Sequence, residues 1–221
     1  GEVVHLCAAP LPVGQTVAME IDWARRFMLM QQHSGEHLVS GTVRAHFGYE
    51  NVGFHMGSEV ITIDFSGELT AAQLRQVETE VNDVIYQNIA TEFLYPDAET
   101  LHTLPYRSKK ELSGWVRLVK FGEKDLCACC GLHVSHTGEI GLVKLLSTTK
   151  FHNGSRVELL CGKRALDYLN TVADQNREIS GLLSAKPFAT AEAVRRVSQE
   201  LSQAQYRVVQ LENQLFAERA K

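Results

Sequence analysis

The stretch "WARRFMLMQQHSGEHLVSGTVRAHF", residues 23–47, decides the fold. Asp22 stands before it as a capping acceptor and Gly48 after it as a stop, so the run reads as one long helix. Gly35 and Gly41 lower its intrinsic propensity, so packing against the rest of the chain must support it. Positions i and i+4 share a helix face, which puts His33 and His37 one above the other. Taken singly, such a pair is weak evidence of a metal site. "HSGEH" is also not the HExxH arrangement of zinc proteases, because Glu36 adjoins the second histidine.

A second pair sits far along the chain. In "CACCGLHV", residues 127–134, Cys129 and His133 are again four apart. Together the pairs offer three imidazoles and one thiolate, a donor set suited to Zn²⁺. Gly131 interrupts the second pair, so "CCGLH" reads as a tight turn rather than a helix face. Such a turn also presents backbone N–H groups beside the metal. Cys127 and Cys130 read as small buried side chains or bystanders. Cys130 competes with Cys129 as a ligand, but its side chain points elsewhere if Cys129 faces the ion.

Around these motifs the chain alternates strands and helices, which makes the class α+β. "EVITIDF", 59–65, is rich in β-branched residues. Thr70 and Gln73 form a capping box ahead of a helix whose Leu74, Val77, Val81, Val84 and Ile85 fall at helical spacing. "WVRLVKF", 115–121, is a further strand. "IGLVKLLSTTKF" and "SRVELLCG" read as a hairpin turning at Asn153-Gly154. Upstream, "GEVVHLC" and "QTVAMEI" within residues 1–22 are short strand candidates that need partners elsewhere. Downstream, residues 166–183 are helical, Pro187 interrupts, and Thr190 caps a last helix. There Val194, Val197, Leu201, Ala204, Val208, Leu211 and Leu215 step by threes and fours, a heptad seam. The seam either closes a helical hairpin on itself or joins two copies as a homodimer.

Bulk properties agree. At 221 residues, 44% hydrophobic and 22% charged, the chain has an ordinary globular composition. No run is long and apolar enough to span a membrane, and no targeting segment is visible. Opening on Gly1 fits a trimmed chain. Five cysteines, three of them crowded into "CACC", fit reduced thiols and a metal site better than a disulfide framework. The net charge of −4 argues against indiscriminate nucleic-acid binding. The small clusters Arg25-Arg26, Arg107 with Lys109 and Lys110, and Lys163-Arg164 read as solvated surface.

At its paired motifs the sequence resembles the editing domain of alanyl-tRNA synthetase, and most closely the free-standing alanyl-tRNA editing proteins. The likeness runs through "IDWARRFMLMQQHSGEHLVSG", "FHMGSEVITIDF", "CACCGLHV", "TGEIGLVKLL" and "NGSRVELLCGKRALDYL". Threonyl-tRNA synthetase editing domains share the paired motifs, but "TGEIG" and the long tail resemble the alanyl branch. The resemblance implies a fold of the threonyl/alanyl-tRNA synthetase second additional domain type over 23–164, the end of an N-terminal β-barrel at 1–22, and a helical hairpin or coiled coil at 165–221. It implies a cytoplasmic, ATP-independent hydrolase. The implied reaction removes serine, chiefly, and glycine from the acceptor end of tRNA(Ala), at zinc held by His33, His37, Cys129 and His133.

Candidate substrate contacts are then Gln32, His55, Gly131 and Leu132, with Glu36 as a proton acceptor. Arg44, Lys109, Lys144 and Lys150 are candidates for phosphate contacts. Two departures stand out: Leu132 replaces a usual threonine, and Cys130-Gly131 replaces a common glycine pair. A polar residue is expected near Val52 and Gly53 without an evident counterpart. Because four protein ligands fill a tetrahedron, the same donor set also fits a binding module for tRNA or a partner with a purely structural zinc and a dimerising tail.

Overall fold

The computed structural model describes residues 4–108, 110, 112 and 114–220. Helix α1 spans Trp23–Phe47, as the capping signals predict. The Asp22 side chain accepts the Arg25 N–H at 2.9 Å, and Gly48 closes the helix in the left-handed region, φ 69°. From Gln32 to Val43 nearly every position is buried. The two glycines that weaken the helix are where its neighbours come closest. A Cβ on Gly35 would meet the Cys161 Sγ at 2.4 Å, and one on Gly41 would meet the Lys124 carbonyl at 2.4 Å. Packing therefore demands the residues that propensity disfavours.

Two antiparallel sheets surround α1. The first has strand order β1-β2-β7-β6, from Asn51–Met56, Ile61–Phe65, Gly154–Cys161 and Val143–Phe151. The second has order β3-β4-β5, from Thr91–Leu94, Leu118–Phe121 and Asp125–Ala128. Helix α1 touches both, through β1 and β7 on one side and β5 on the other. One apolar core joins Leu38, Val39 and Val43 of α1 to Ile61, Ile63, Val157 and Leu159 of the first sheet and Val119 and Phe121 of the second. Helix α2, Ala71–Tyr86, begins at the predicted capping box: Thr70 N–H donates to Gln73 Oε1 and Gln73 N–H to Thr70 Oγ1. Its five predicted core residues are all buried.

The hairpin β6–β7 forms, but its turn is one residue off. Phe151 pairs with Gly154, so His152 and Asn153 make the loop, with His152 at φ 51°. Gly154 serves close approach instead: a Cβ there would lie 1.9 Å from the Phe65 carbonyl. The strand expected at 115–121 is confined to Leu118–Phe121, and Trp115 is 96% exposed. Strands β1, β3 and β5 and the short helix α3, Ala98–Thr103, carry too little periodicity to be read from sequence.

The ends of the chain differ most from expectation. Residues 4–22 contain no strand, and their apolar side chains, Leu6 and Val13 among them, are exposed. Among the described residues no neighbouring strand satisfies their backbone, so the β-propensity of "QTVAMEI" finds no partner there. Gly1–Val3 lie outside the described residues, and no barrel remnant is seen in the others. At the other end α4 spans Gly162–Leu182 and α5 spans Thr190–Arg219. Thr190 is the first helical residue rather than the cap: its hydroxyl donates to Asn176 Oδ1 of α4 at 2.8 Å. The heptad seam of α5 is not closed by α4, since Val194, Leu201, Val208, Leu211 and Leu215 are all exposed. No helix among the described residues is long and apolar enough to cross a membrane.

Candidate metal centre and its cavity

His33 and His37 reach the site from α1, Cys129 and His133 from the turn that follows β5. The donor atoms of all four lie within 4.8 Å of one another. His33 Nε2 is 3.5 Å and His133 Nε2 3.4 Å from the Cys129 Sγ. With Zn–N near 2.0–2.1 Å and Zn–S near 2.3 Å, an N···S edge of a tetrahedron is about 3.6 Å. The four side chains are thus spaced as a tetrahedral metal ion requires and could hold one.

Each imidazole is oriented from behind through its other nitrogen. His33 Nδ1 lies 3.2 Å from the Leu132 carbonyl, His37 Nδ1 2.9 Å from Asp125 Oδ2, and His133 Nδ1 3.1 Å from Ser34 Oγ. With Nδ1–H donating to these acceptors, every Nε2 lone pair is directed at the shared centre, the tautomer a ligating histidine needs. Arg107 secures the charged member of this outer shell: its Nε and NH2 donate to Asp125 Oδ1 and Oδ2 at 2.6 and 2.8 Å. Arg107 and Asp125 are both buried, so Arg107 is not the solvated surface charge expected from its neighbours in sequence.

Electrostatics follow this arrangement. Burial disfavours ionisation of the Cys129 thiol, but hydrogen bonds from His133, His33 and His37 outweigh it and hold the group down at about 3, a thiolate. Burial also acts against charge on His37, yet its bonds to Asp125 and Cys129 hold it up at about 9. His133 is lowered to about 4, chiefly by burial. Asp125 stays well below the ordinary carboxylate range: burial opposes this, but the His37 and Arg107 hydrogen bonds prevail. A metal ion must displace the His37 proton, since only neutral imidazole ligates. A second donor group, His37 with Asp125 and Cys127, is a poor alternative. Asp125 is already engaged by Arg107, and burial pushes the Cys127 thiol up to about 12.

The turn that carries Cys129 is held by several contacts. Cys129 N–H donates to the Arg117 carbonyl, and Arg117 NH1 donates to the Cys129 and Gly131 carbonyls at 3.3 and 2.7 Å. The Arg117 guanidinium also lies over the Phe93 ring at 4.5 Å. Gly131 N–H donates to the Cys129 Sγ at 3.3 Å, the backbone donor expected of a tight turn. Glycine is required there because a Cβ would stand 2.3 Å from His33 Cε1. Leu132 acts through its carbonyl; its own side chain is half exposed, so the missing threonine hydroxyl is absent from the surface rather than from the donor cluster.

A cavity of about 360 Å³ opens beside three of the four donors, His33, His37 and Cys129. Glu36, Asn51, Phe54, Trp115 and Arg117 line it as well. Asn51 and Phe54 face it together because the β1–β2 register shifts between Asn51 and Gly53, an irregularity that brings residues three apart to one side. Asn51 fills the place where a polar residue was expected near Val52 and Gly53. Its Oδ1 is buried and has no hydrogen-bond partner among the described residues. Sequence reading passed over Asn51, Ser34, Asp125 and Arg117; only Ser34, inside "HSGEH", carried a positional hint.

Other candidates are placed elsewhere. Gln32 is fully buried with its amide bonded both ways to the Cys161 backbone, at 2.7 and 3.0 Å, and it does not line the cavity. His55 is exposed on β1 and also lies outside the lining. Lys144 pairs with Glu78 and Lys150 with Glu68, both away from the cavity wall. Arg44 pairs with Glu50 in a groove that adjoins the cavity through Asn51 and Arg107. Lys109 lies outside the described residues.

Comparison with known proteins agrees with this architecture. Residues 116–158, which carry Cys129 and His133, match the family "Threonyl and Alanyl tRNA synthetase second additional domain". The chain is 31% identical over 228 residues to alanine–tRNA ligase of Ignicoccus hospitalis, covering 99% of this chain and 25% of that one. It is 27% identical over 207 residues to the alanyl-tRNA editing protein AlaX-L of Pyrococcus horikoshii, covering 91% of this chain and 50% of that one. With the alanyl-tRNA editing protein Aarsd1 of Mus musculus it shares 30% over 199 residues, 87% of this chain and 48% of that one. The match to the second additional domain falls within this α+β fold of two antiparallel sheets and long C-terminal helices. By sequence the chain is similar to alanyl-tRNA editing proteins over about 90% of its length. It spans about half the length of the editing proteins it matches and a quarter of the ligase.

Proposed function

We propose that this chain deacylates mischarged tRNA(Ala), hydrolysing the ester that joins serine, or glycine, to the tRNA acceptor end, in the cytoplasm and on tRNA released by the synthetase. The observation that carries this reading is the meeting of His33, His37, Cys129 and His133 around one point at the edge of a cavity. Zinc bound there would polarise an ester carbonyl or lower the pKa of water. The chain's own residues do the rest. Asp125, Ser34 and the Leu132 carbonyl keep the imidazoles in the ligating tautomer. Phe54 and Trp115 supply apolar wall for the end of the tRNA. The domain boundaries proposed are 23–164 for the editing unit and 165–221 for the tail.

Selectivity has a physical basis in the same wall. A pocket that accepts alanine rejects a molecule with one added hydroxyl only weakly, by about 100-fold, so a second hydrolytic sieve is useful. Asn51 lines the cavity, and its covered Oδ1, unpartnered among the described residues, would accept the serine hydroxyl once the substrate displaces what covers it. Alanine would leave it unpaired, and correctly charged tRNA is thereby spared.

The four-donor set favours one competing reading, a structural ion in a tRNA- or partner-binding module, since closed tetrahedra are commonly structural. Measuring hydrolysis of seryl-tRNA(Ala) by the zinc-loaded chain, before and after chelation, separates the two. Turnover that is lost on chelation while circular dichroism is unchanged supports the hydrolase. Folded, zinc-bound protein with no turnover on seryl- or glycyl-tRNA(Ala) supports the module. Equal turnover of seryl-adenosine without a tRNA body would instead indicate a general ester hydrolase.

A further inference from the structure

Glu36 is a buried carboxylate on the cavity wall, 4% exposed, one residue from a proposed ligand. Its two oxygens are treated differently. Oε1 accepts the Ser40 hydroxyl and the Asn51 amide, each at 2.6 Å. Asn51 Nδ2 also donates to Ser40 Oγ at 3.0 Å, so carboxylate, hydroxyl and amide form a closed triangle. Oε2 has no donor of this kind among the described residues; His37 Nε2 lies 3.9 Å away. That nitrogen points to the metal centre. Of the other cations on this wall, Arg107 is committed to Asp125 through both of its bonds, Arg117 donates to the Cys129 and Gly131 carbonyls, and Lys110 is exposed.

A carboxylate oxygen that faces a cavity without a protein donor is free to take one from a ligand, and a charged donor serves best. Every aminoacyl ester carries such a group: the α-ammonium, two bonds from the carbonyl carbon under attack. Resting on the deacylase reading, we propose that Glu36 is the counter-ion of the substrate's α-ammonium group. The Ser40–Asn51 pair aims it, and it selects α-amino acid esters over esters whose amine is blocked or absent. Its part is then to hold the substrate against the donor cluster. A carboxylate that took the proton of the attacking water would act equally on all esters.

The test uses the full chain loaded with zinc. The probes are the hydrolysis-resistant amide 3′-seryl-amino-3′-deoxyadenosine and its N-acetyl counterpart, with binding read by calorimetry and folding by circular dichroism. Wild type is expected to prefer the free amine by at least tenfold, and Glu36→Gln to abolish that preference without weakening the N-acetyl probe. Ser40→Ala, which removes one orienting donor and keeps the charge, is expected to reduce the preference several-fold. Equal weakening of both probes by Glu36→Gln overturns the proposal, as does a wild type that binds both alike or neither. Seryl-tRNA(Ala) turnover measured beside it keeps the two ideas apart. Turnover with the amine preference retained in Glu36→Gln removes the counter-ion role alone. An amine preference lost in Glu36→Gln, with no turnover by wild type, removes the deacylase reading and leaves an aminoacyl-binding site.

Discussion

Helices α1 and α5 were both read from spacing along the chain, and they end in opposite environments. The functional face of α1 is enclosed between two sheets, and its polar residues, Ser34, Glu36, His37 and Ser40, are buried with partners. The apolar seam of α5, a helix of 30 residues and about 45 Å, faces outward along its length. Spacing states that a face wants company. It does not state whether the company comes from the same chain. On α1 the company is local in space and chemically specific; on α5 the fold supplies almost none.

The contrast can be attacked first at the buried helix, where effects are largest. His37→Ala or Cys129→Ala removes a donor from the centre. Metal bound per chain, measured by atomic absorption after dialysis, is expected to fall from one to below a tenth, with deacylation down at least 100-fold. Retention of metal and activity by either variant would place the site elsewhere. Asp125→Asn comes next. It leaves Arg107 buried without its carboxylate and weakens the support of His37. Zinc affinity is expected to drop about 10–100-fold, and stability by roughly 3–5 kcal/mol in urea.

The metal-free chain should also be acid-sensitive in a defined window. Cys129 and His133 have pKa values lowered in the folded state, to about 3 and about 4, so their contribution is present above their unfolded values and is lost as pH falls. His37, raised to about 9, contributes below its unfolded value near 6.5 and loses that contribution as pH rises through 9. Between pH 6.5 and 9 the Cys129 and His37 slopes oppose each other, one gaining as the other loses. The urea midpoint should therefore be nearly flat there and fall between pH 6.5 and 4. A midpoint that rises on acidification would contradict the thiolate assignment.

The smallest intrinsic effect belongs to the outward helix. Leu201 is 58% exposed. Leu201→Glu should change the stability of the single chain by less than about 0.5 kcal/mol, as surface substitutions do. If the seam joins two copies, light scattering of this variant will show half the mass of wild type. An unchanged mass with unchanged stability would leave the seam without a role in association.

How legible was the rest? The caps of α1 and α2, the core face of α2 and the β6–β7 hairpin all lie in short windows where local rules act, and each was readable. The two donor pairs were readable because both fall at four-residue spacing. Arg107–Asp125 was not, since its members are separated in sequence and join only when β5 forms beside the Arg107 segment. Gln32 misled for a related reason: adjacency to a donor residue on a helix points a side chain to a different face, here toward Cys161. Residues 4–22 misled because strand propensity is realised only with a partner strand.

Sequence alone determined which residues can carry the chemistry: four donors of the right hardness, a helix to hold two of them, and a glycine where the turn must pass close to His33. Tertiary structure decided that the donors meet, which nitrogen of each ring faces inward, and that Glu36 and Asn51 share one wall. Donor type is a property of a side chain, whereas convergence and tautomer depend on contacts between distant segments, and those exist only after α1 is packed between the two sheets.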